Sequence, residues 1–176
     1  MQEGLPLFGS RTTVRWLGST VVEMVIGDAR TPFTGATLVI FLEPRDLPWW
    51  PLSRARGRRD TLIIRGALRQ TPALEFEALD PRSWSGRDAL PRVPREWLLR
   101  EAAAPAGLVV HHASAGALAH ADALLALTER AGLAVKRLSL RRTEPNLQIH
   151  VALPDGTQPA REFFEAVQTL AELALR

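Results

Sequence analysis

Residues 108–153 read LVVHHASAGALAHADALLALTERAGLAVKRLSLRRTEPNLQIHVAL, and this stretch decides the fold class. Leu108–His112 is apolar and β-branched, which predicts a strand. Ala117–Ala131 is dense in Ala and Leu, both strong helix formers, and Gly132 follows where a helix end favours left-handed backbone. Ala134–Leu140 and Leu147–Leu153 predict two further strands, joined through Thr143-Glu144-Pro145-Asn146. In the second of them Leu147, Ile149, Val151 and Leu153 share one side, leaving Gln148 and His150 on the other. Pro154-Asp155-Gly156 is a turn signal. Pro159–Leu175 then predicts an amphipathic helix with Phe163, Val167, Leu170 and Ala174 along one stripe. The order is β-α-β-β-α, which most naturally sets its helices on one face of a mainly antiparallel sheet.

Working outward toward the N terminus, Pro94-Arg95-Glu96 predicts the start of a helix that ends near Pro105-Ala106-Gly107. Asp80–Pro94 is rich in Pro, Ser, Gly and Arg and reads as a loop. Before it, Thr12–Trp16, Thr20–Ile26, Thr37–Leu42, Thr61–Arg65 and Leu74–Ala78 read as strands, with turn formers at Gly27-Asp28 and Thr31–Gly35. Pro44, Pro48 and Pro51 predict an irregular stretch between the third and fourth strands. The expectation is an α+β fold and a single domain over residues 1–176. A strand-rich half (1–79) packs with the β-α-β-β-α half (95–176), and loop 80–94 joins them.

Composition narrows the function classes. The 176 residues can bury a sizeable core, and 46% are hydrophobic. No apolar run approaches the ~20 residues that span a bilayer, and Met1–Ser10 lacks a basic and apolar signal pattern. The reading is a soluble, cytoplasmic chain. There is no cysteine, which removes disulfides, thiolate nucleophiles and Cys-based zinc sites and fits a reducing compartment. Net charge is only +3, but it is unevenly spread. Residues 45–69 hold seven Arg against Asp46 and Asp60, and residues 130–142 hold Arg130, Lys136, Arg137, Arg141 and Arg142 with no acid. Two cationic segments on an acidic background predict one or two positive faces.

Catalytic patterns are scarce. His112-Ala113-Ser114-Ala115-Gly116 lies between a predicted strand and a predicted helix, where an α/β-hydrolase would carry its nucleophile. However, His112 replaces the small residue that such a turn needs. Ser114 reads better as a helix N-cap, and a serine hydrolase using it is the weakest of the functional alternatives. His111 and His112, adjacent on a strand, face opposite ways and do not form a shared metal site. His150 could approach one of them if their strands are neighbours, with Asp122 or Asp155 as a carboxylate. Glu75 and Glu77 share a strand face, and Glu162 and Glu165 a helix face, with nothing to place either pair in a cleft. No phosphate loop, dinucleotide fingerprint or other cofactor motif is present, so no cofactor is assigned.

Pro48-Trp49-Trp50-Pro51-Leu52-Ser53-Arg54-Ala55-Arg56-Gly57-Arg58-Arg59 is the most informative stretch. Tryptophan suits a membrane interface and arginine an anionic leaflet. The same pairing suits nucleic acid, with Arg on phosphate and Trp on a base. A plain structural loop, with its tryptophans tucked onto the core, remains open beside both.

Gly107–Val110, Ala117–Ala131, Ala134–Leu140, Leu147–Leu153 and the closing helix, together with Phe33–Ile40 upstream, resemble the soluble C-terminal part of bacterial membrane-anchored proteins of unknown function. The likeness covers residues 33–42 and 107–175 and assigns no site residue. It implies a non-catalytic domain beside a membrane.

The functional expectation is a non-enzymatic binding or scaffolding domain. Trp49, Trp50, Arg54, Arg56, Arg58 and Arg59 would contact an anionic membrane surface, or a membrane protein, at the inner face of the membrane. The alternative is sequence-tolerant nucleic-acid binding by the same segment with Arg137, Arg141 and Arg142, which requires both basic segments on one face.

Overall fold

β-branched and apolar runs separated by Gly, Pro and Asp turns must pair to satisfy their backbone groups, and here they do so in one sheet. The computed structural model describes residues 8–55, 58–100, 107–153 and 160–176. Among these, the strands are β1 (Thr12–Trp16), β2 (Val21–Ile26), β3 (Phe33–Phe41), β4 (Thr61–Leu68), β5 (Phe76–Leu79), β6 (Leu98–Leu99), β7 (Val109–His112), β8 (Ala134–Leu140) and β9 (Leu147–Ala152). The helices are α1 (Trp50–Ala55), α2 (Trp84–Ala89), α3 (Ala115–Arg130) and α4 (Ala160–Leu173), with a short 3₁₀ turn over Leu90–Arg92. The fold is mixed: a nine-stranded sheet in the order β1-β2-β3-β4-β9-β8-β5-β7-β6, antiparallel throughout, with four helices.

The chain order and the spatial order differ at the centre. β4 pairs with β9, and β5 is inserted between β8 and β7. Strands from both sides of segment 80–94 therefore share one hydrogen-bonded ladder.

One side of the sheet carries the apolar core. Leu38, Ile40, Leu62, Ile64, Phe76, Ala78, Leu138, Leu147, Ile149 and Val151 alternate onto it from successive strands. Against them lie Ala121, Leu124 and Leu125 of α3 and Phe163, Phe164, Val167 and Leu170 of α4, each set at helical spacing. Phe8 completes this layer, stacking on Phe33 at 5.4 Å and meeting Phe164 edge-on at 5.1 Å. α3 ends where Gly132 takes a φ of 65°, which only glycine adopts without strain.

Three expectations change. Segment 80–94 holds α2 and the 3₁₀ turn. Ser83 caps α2 by accepting from the Gly86 amide at 2.9 Å, and Gly86 sits so close to the Asp80 carbonyl that a Cβ would not fit. The helix is set by a cap and a close approach, not by propensity. Within the proline-bearing stretch, α1 forms with Pro51 in its first turn, a position that lacks nothing by having no N–H. Finally, the helix expected from Pro94 is absent over 94–100: a turn at Pro94–Trp97 leads into β6, whose Leu98 and Leu99 pair with His112 and His111. Pairing with an open strand edge outweighs the weak local start signal. Residues 101–106 and the Pro154-Asp155-Gly156 turn lie outside the described residues.

α2 also departs from helices on a single face. It brings Trp84 against Phe41 at 5.4 Å and His150 at 6.2 Å, both on the side of the sheet opposite the core. No helix among the described residues is long and apolar enough to cross a membrane.

Candidate functional site: the polar face of the sheet and the cleft beside it

On the face away from the long helices, register places five residues in a row across five strands: Arg65, Gln148, Ser139, Glu77 and His111. The row runs from exposed Arg65 to fully buried Glu77. Glu77 accepts from Arg137 Nε at 2.5 Å on one oxygen, and from Ser139 Oγ and an Arg141 guanidinium nitrogen, both at 2.8 Å, on the other. The Arg141 guanidinium also lies 4.2 Å from the centre of the Trp97 ring, which shields it from water.

This arrangement places two of the expected contact residues, Arg137 and Arg141, beside an internal acid. Arg137 is 8% exposed and Arg141 is half-buried, and both are spent on one internal carboxylate. Each already donates to Glu77, so contact with an external phosphate would have to share or replace that bond. Arg142 is exposed, but it donates its amide to Glu75 Oε1 and a guanidinium N–H to the Ala73 carbonyl. It also lies roughly 20 Å along the β8 direction from Lys136, by strand rise alone. The second basic segment is thus spread along and just beyond β8, with Arg137 and Arg141 turned to Glu77.

The histidines are likewise separated. β7 and β9 have β5 and β8 between them, so His150 does not approach His111 or His112. Among the described residues no three metal-ligating side chains converge. His150 is buried against Trp84 with neither ring nitrogen hydrogen-bonded to the described residues. Burial, and then the charges of Arg137 and Arg65, push its pKa down to about 3. Burial also lowers His111, partly opposed by Glu77, and lowers His120.

Ser114 is the N-cap of α3. Its backbone is extended, and its Oγ accepts from the Ala117 amide at 3.2 Å. His112 Nδ1–H donates to the Ser114 carbonyl at 2.9 Å, fixing the turn rather than activating the hydroxyl. The hydrolase alternative loses its nucleophile to the helix.

The Trp–Arg segment builds a wall of a cleft of about 510 Å³, within the usual size range of ligand sites. α1 supplies Trp50 and Ser53, α2 supplies Trp84, Ser85 and Arg87, and the ends of β3, β4, β8 and β9 supply the floor. Five basic side chains line it (Arg58, Arg59, Arg82, Arg87 and Lys136) against two acidic ones (Glu43 and Asp80). Trp49 is 59% exposed and Trp84 47%, with Leu52 also exposed beside them. Trp50 is half-buried, its indole N–H donating to Glu43 Oε2 at 3.2 Å.

The cations divide by partner. Lys136 is paired with Asp80 at 3.1 Å, which with the amides at Arg82 and Ser83 holds that carboxyl below its usual range against the opposing effect of burial. Arg54 lies over the Trp50 ring at 5.6 Å and 3.6 Å from Glu43. Arg59 donates to the Arg54 and Arg58 carbonyls at 2.8 and 2.6 Å. Arg58, Arg82 and Arg87 have no carboxylate partner among the described residues. Arg56 lies outside the described residues. Sequence reading missed Arg82, Arg87 and Trp84, which lie some thirty residues from the Trp–Arg segment and join it only through the sheet. The signal present was Arg82-Ser83-Trp84 in a segment read as loop.

Compared with known protein families and with curated proteins, the chain matches none.

Three outcomes follow from this geometry. Glu77→Ala leaves Arg137 buried without its counter-charge and should cost about 3–5 kcal/mol, read by urea denaturation; Glu77→Gln should recover part of it. Ser114→Ala should cost about 1 kcal/mol and Ser114→Gly only a few tenths, the signature of a cap. His150 has a folded pKa below its unfolded one, so the unfolded state takes up the proton first. Stability should be insensitive to this group above pH 7 and fall as pH drops below ~6.5, by at most about 1.4 kcal/mol per unit down to pH ~3. His111 and His120 act in the same direction, so His150→Phe should flatten the decline between pH 7 and 5 without abolishing it.

Proposed function

We propose that the chain is a non-enzymatic binding domain that docks on an anionic membrane surface through the cleft between α1 and α2. The observation that carries this reading is the convergence of exposed Trp49 and Trp84 with three arginines that have no carboxylate partner among the described residues, Arg58, Arg82 and Arg87. Exposed tryptophan gains most where one edge is apolar and the other wet. An arginine beside an anionic leaflet contributes about 1 kcal/mol, so three suffice for salt-sensitive attachment.

On this reading the two long helices back one face of the sheet, and the β-α-β-β-α half serves as a rigid support. The opposite face and its cleft are then left free for the membrane. The site would face the cytoplasmic leaflet, in keeping with the likeness of residues 33–42 and 107–175 to soluble parts of membrane-anchored bacterial proteins. Nucleic acid is the less favoured partner. Arg137 and Arg141 are committed to Glu77, and what remains is a compact cleft, not a cationic track.

Co-sedimentation with phosphatidylglycerol and phosphatidylcholine vesicles at low and high salt tests the proposal. Binding should be confined to phosphatidylglycerol, should weaken with salt, and should be lost in an Arg58/Arg82/Arg87→Glu variant while Arg142→Glu binds normally. Displacement by a single-stranded oligonucleotide at stoichiometric concentration would overturn it in favour of nucleic acid.

A further inference from the structure

Glu43 is out of place in a cleft built for anions. Its side chain is 7% exposed, yet it lines the cleft wall. Oε2 is engaged by the Trp50 indole N–H at 3.2 Å, with Arg54 at 3.6 Å. Oε1 is buried and receives no hydrogen bond from any described residue. Buried carboxylate oxygens are ordinarily satisfied, and leaving one without a donor is costly. The backbone around it is well provided for, since the Glu43 amide donates to Asp60 Oδ1 at 2.7 Å. Because Glu43 lines the cleft, that is the side from which a donor to Oε1 would come, once a small shift of the side chain opens the atom.

The surroundings specify that donor. Trp50 is held against Glu43, and Trp49 and Trp84 line the same cleft. Carboxylate together with aromatic walls is the chemistry that receives an ammonium group. At the cleft's basic side, Arg58, Arg82 and Arg87 offer the guanidinium donors that suit phosphate.

We propose that the cleft binds a phosphorylated amine, with its ammonium group on Glu43 Oε1 and its phosphate on Arg58, Arg82 and Arg87. This deepens the membrane reading and rests on the same cleft. The ligand chemistry is that of an ethanolamine phosphate, whether carried by a phospholipid headgroup or free in solution. A volume of about 510 Å³ accommodates such a group with room to spare.

Calorimetric titration of the full chain with phosphoethanolamine and with inorganic phosphate tests the assignment. A charge-assisted contact to Glu43 should make phosphoethanolamine bind roughly ten- to a hundredfold tighter than phosphate. Glu43→Gln, which keeps an acceptor for the Trp50 indole, should erase that margin and leave phosphate binding in place. Arg82→Gln/Arg87→Gln, at exposed positions, should weaken both ligands and covers the case in which the Glu43 variant does not fold. Equal binding of the two ligands by the native chain, or a margin that survives in Glu43→Gln, would overturn the ammonium seat and leave the anionic-surface proposal standing.

Phosphatidylglycerol vesicles with and without phosphatidylethanolamine separate the two sources. Stronger capture by the mixed vesicles, reversed by soluble phosphoethanolamine, identifies the lipid headgroup. Tight phosphoethanolamine binding without vesicle binding identifies a free phosphoamine and overturns the membrane reading alone.

Discussion

A carboxylate with no solvent exposure sits on β5, two strands in from one edge of this sheet, and much of the polar face is arranged around it. Glu77 on β5 takes hydrogen bonds from Arg137 and Ser139 on β8 and from Arg141 just beyond it. β5 is only four residues long and sits between β8 and β7, far from its neighbours in sequence. Backbone pairing of so short a strand is weak by itself. The charge-assisted bonds from Glu77 tie it to β8, and opposite charges in low dielectric hold that register firmly.

The consequences reach the cleft. With β5 held beside β8, Asp80 follows at the end of β5 and pairs with Lys136. The turn at Asp80 then launches α2 through the Ser83 cap, which sets Trp84 over Phe41 and His150. Arg82 and Arg87 thereby come to the same cleft as Arg58, Trp50 of α1 and Trp49 just before it. The network also removes Arg137 and Arg141 from the surface. Of the second basic segment, Arg137 and Arg141 are drawn to an internal acid, while Lys136 joins the cleft.

The opposite face follows a different logic. There, α3 and α4 bury aliphatic and aromatic side chains against the sheet. Hydrophobic contact is non-directional and tolerant of detail. The polar face depends on individual hydrogen bonds, and small changes at Glu77, Ser83 or Gly86 would displace its elements. The proposed site lies on the specified face, while the larger apolar cluster lies on the other.

This division also separates what was legible in the sequence from what was not. α3, β8, β9 and α4 were readable because a 3.6- or 2-residue apolar period records which side of an element is buried, and that record is local. Thr12–Trp16 and Ala134–Leu140 fall on their strands to the residue. The Trp–Arg segment was legible as an unusual surface, since its composition is contained in one stretch. α2 was not legible, because a Ser cap and a glycine packed on the Asp80 carbonyl replace propensity. β6 was hidden for a similar reason: Leu98 and Leu99 become a strand only beside His112 and His111.

The fate of each charge was equally out of reach, since Glu77 meets Arg137 and Arg141 across some sixty residues of chain. By itself, the sequence determined the apolar periods, the lack of cysteine chemistry and the two basic segments. Tertiary structure alone decided the strand order, which arginines remain unneutralised and where Glu43 points. Periodicity is written in neighbours along the chain, whereas charge pairing and clefts depend on residues that only folding makes neighbours.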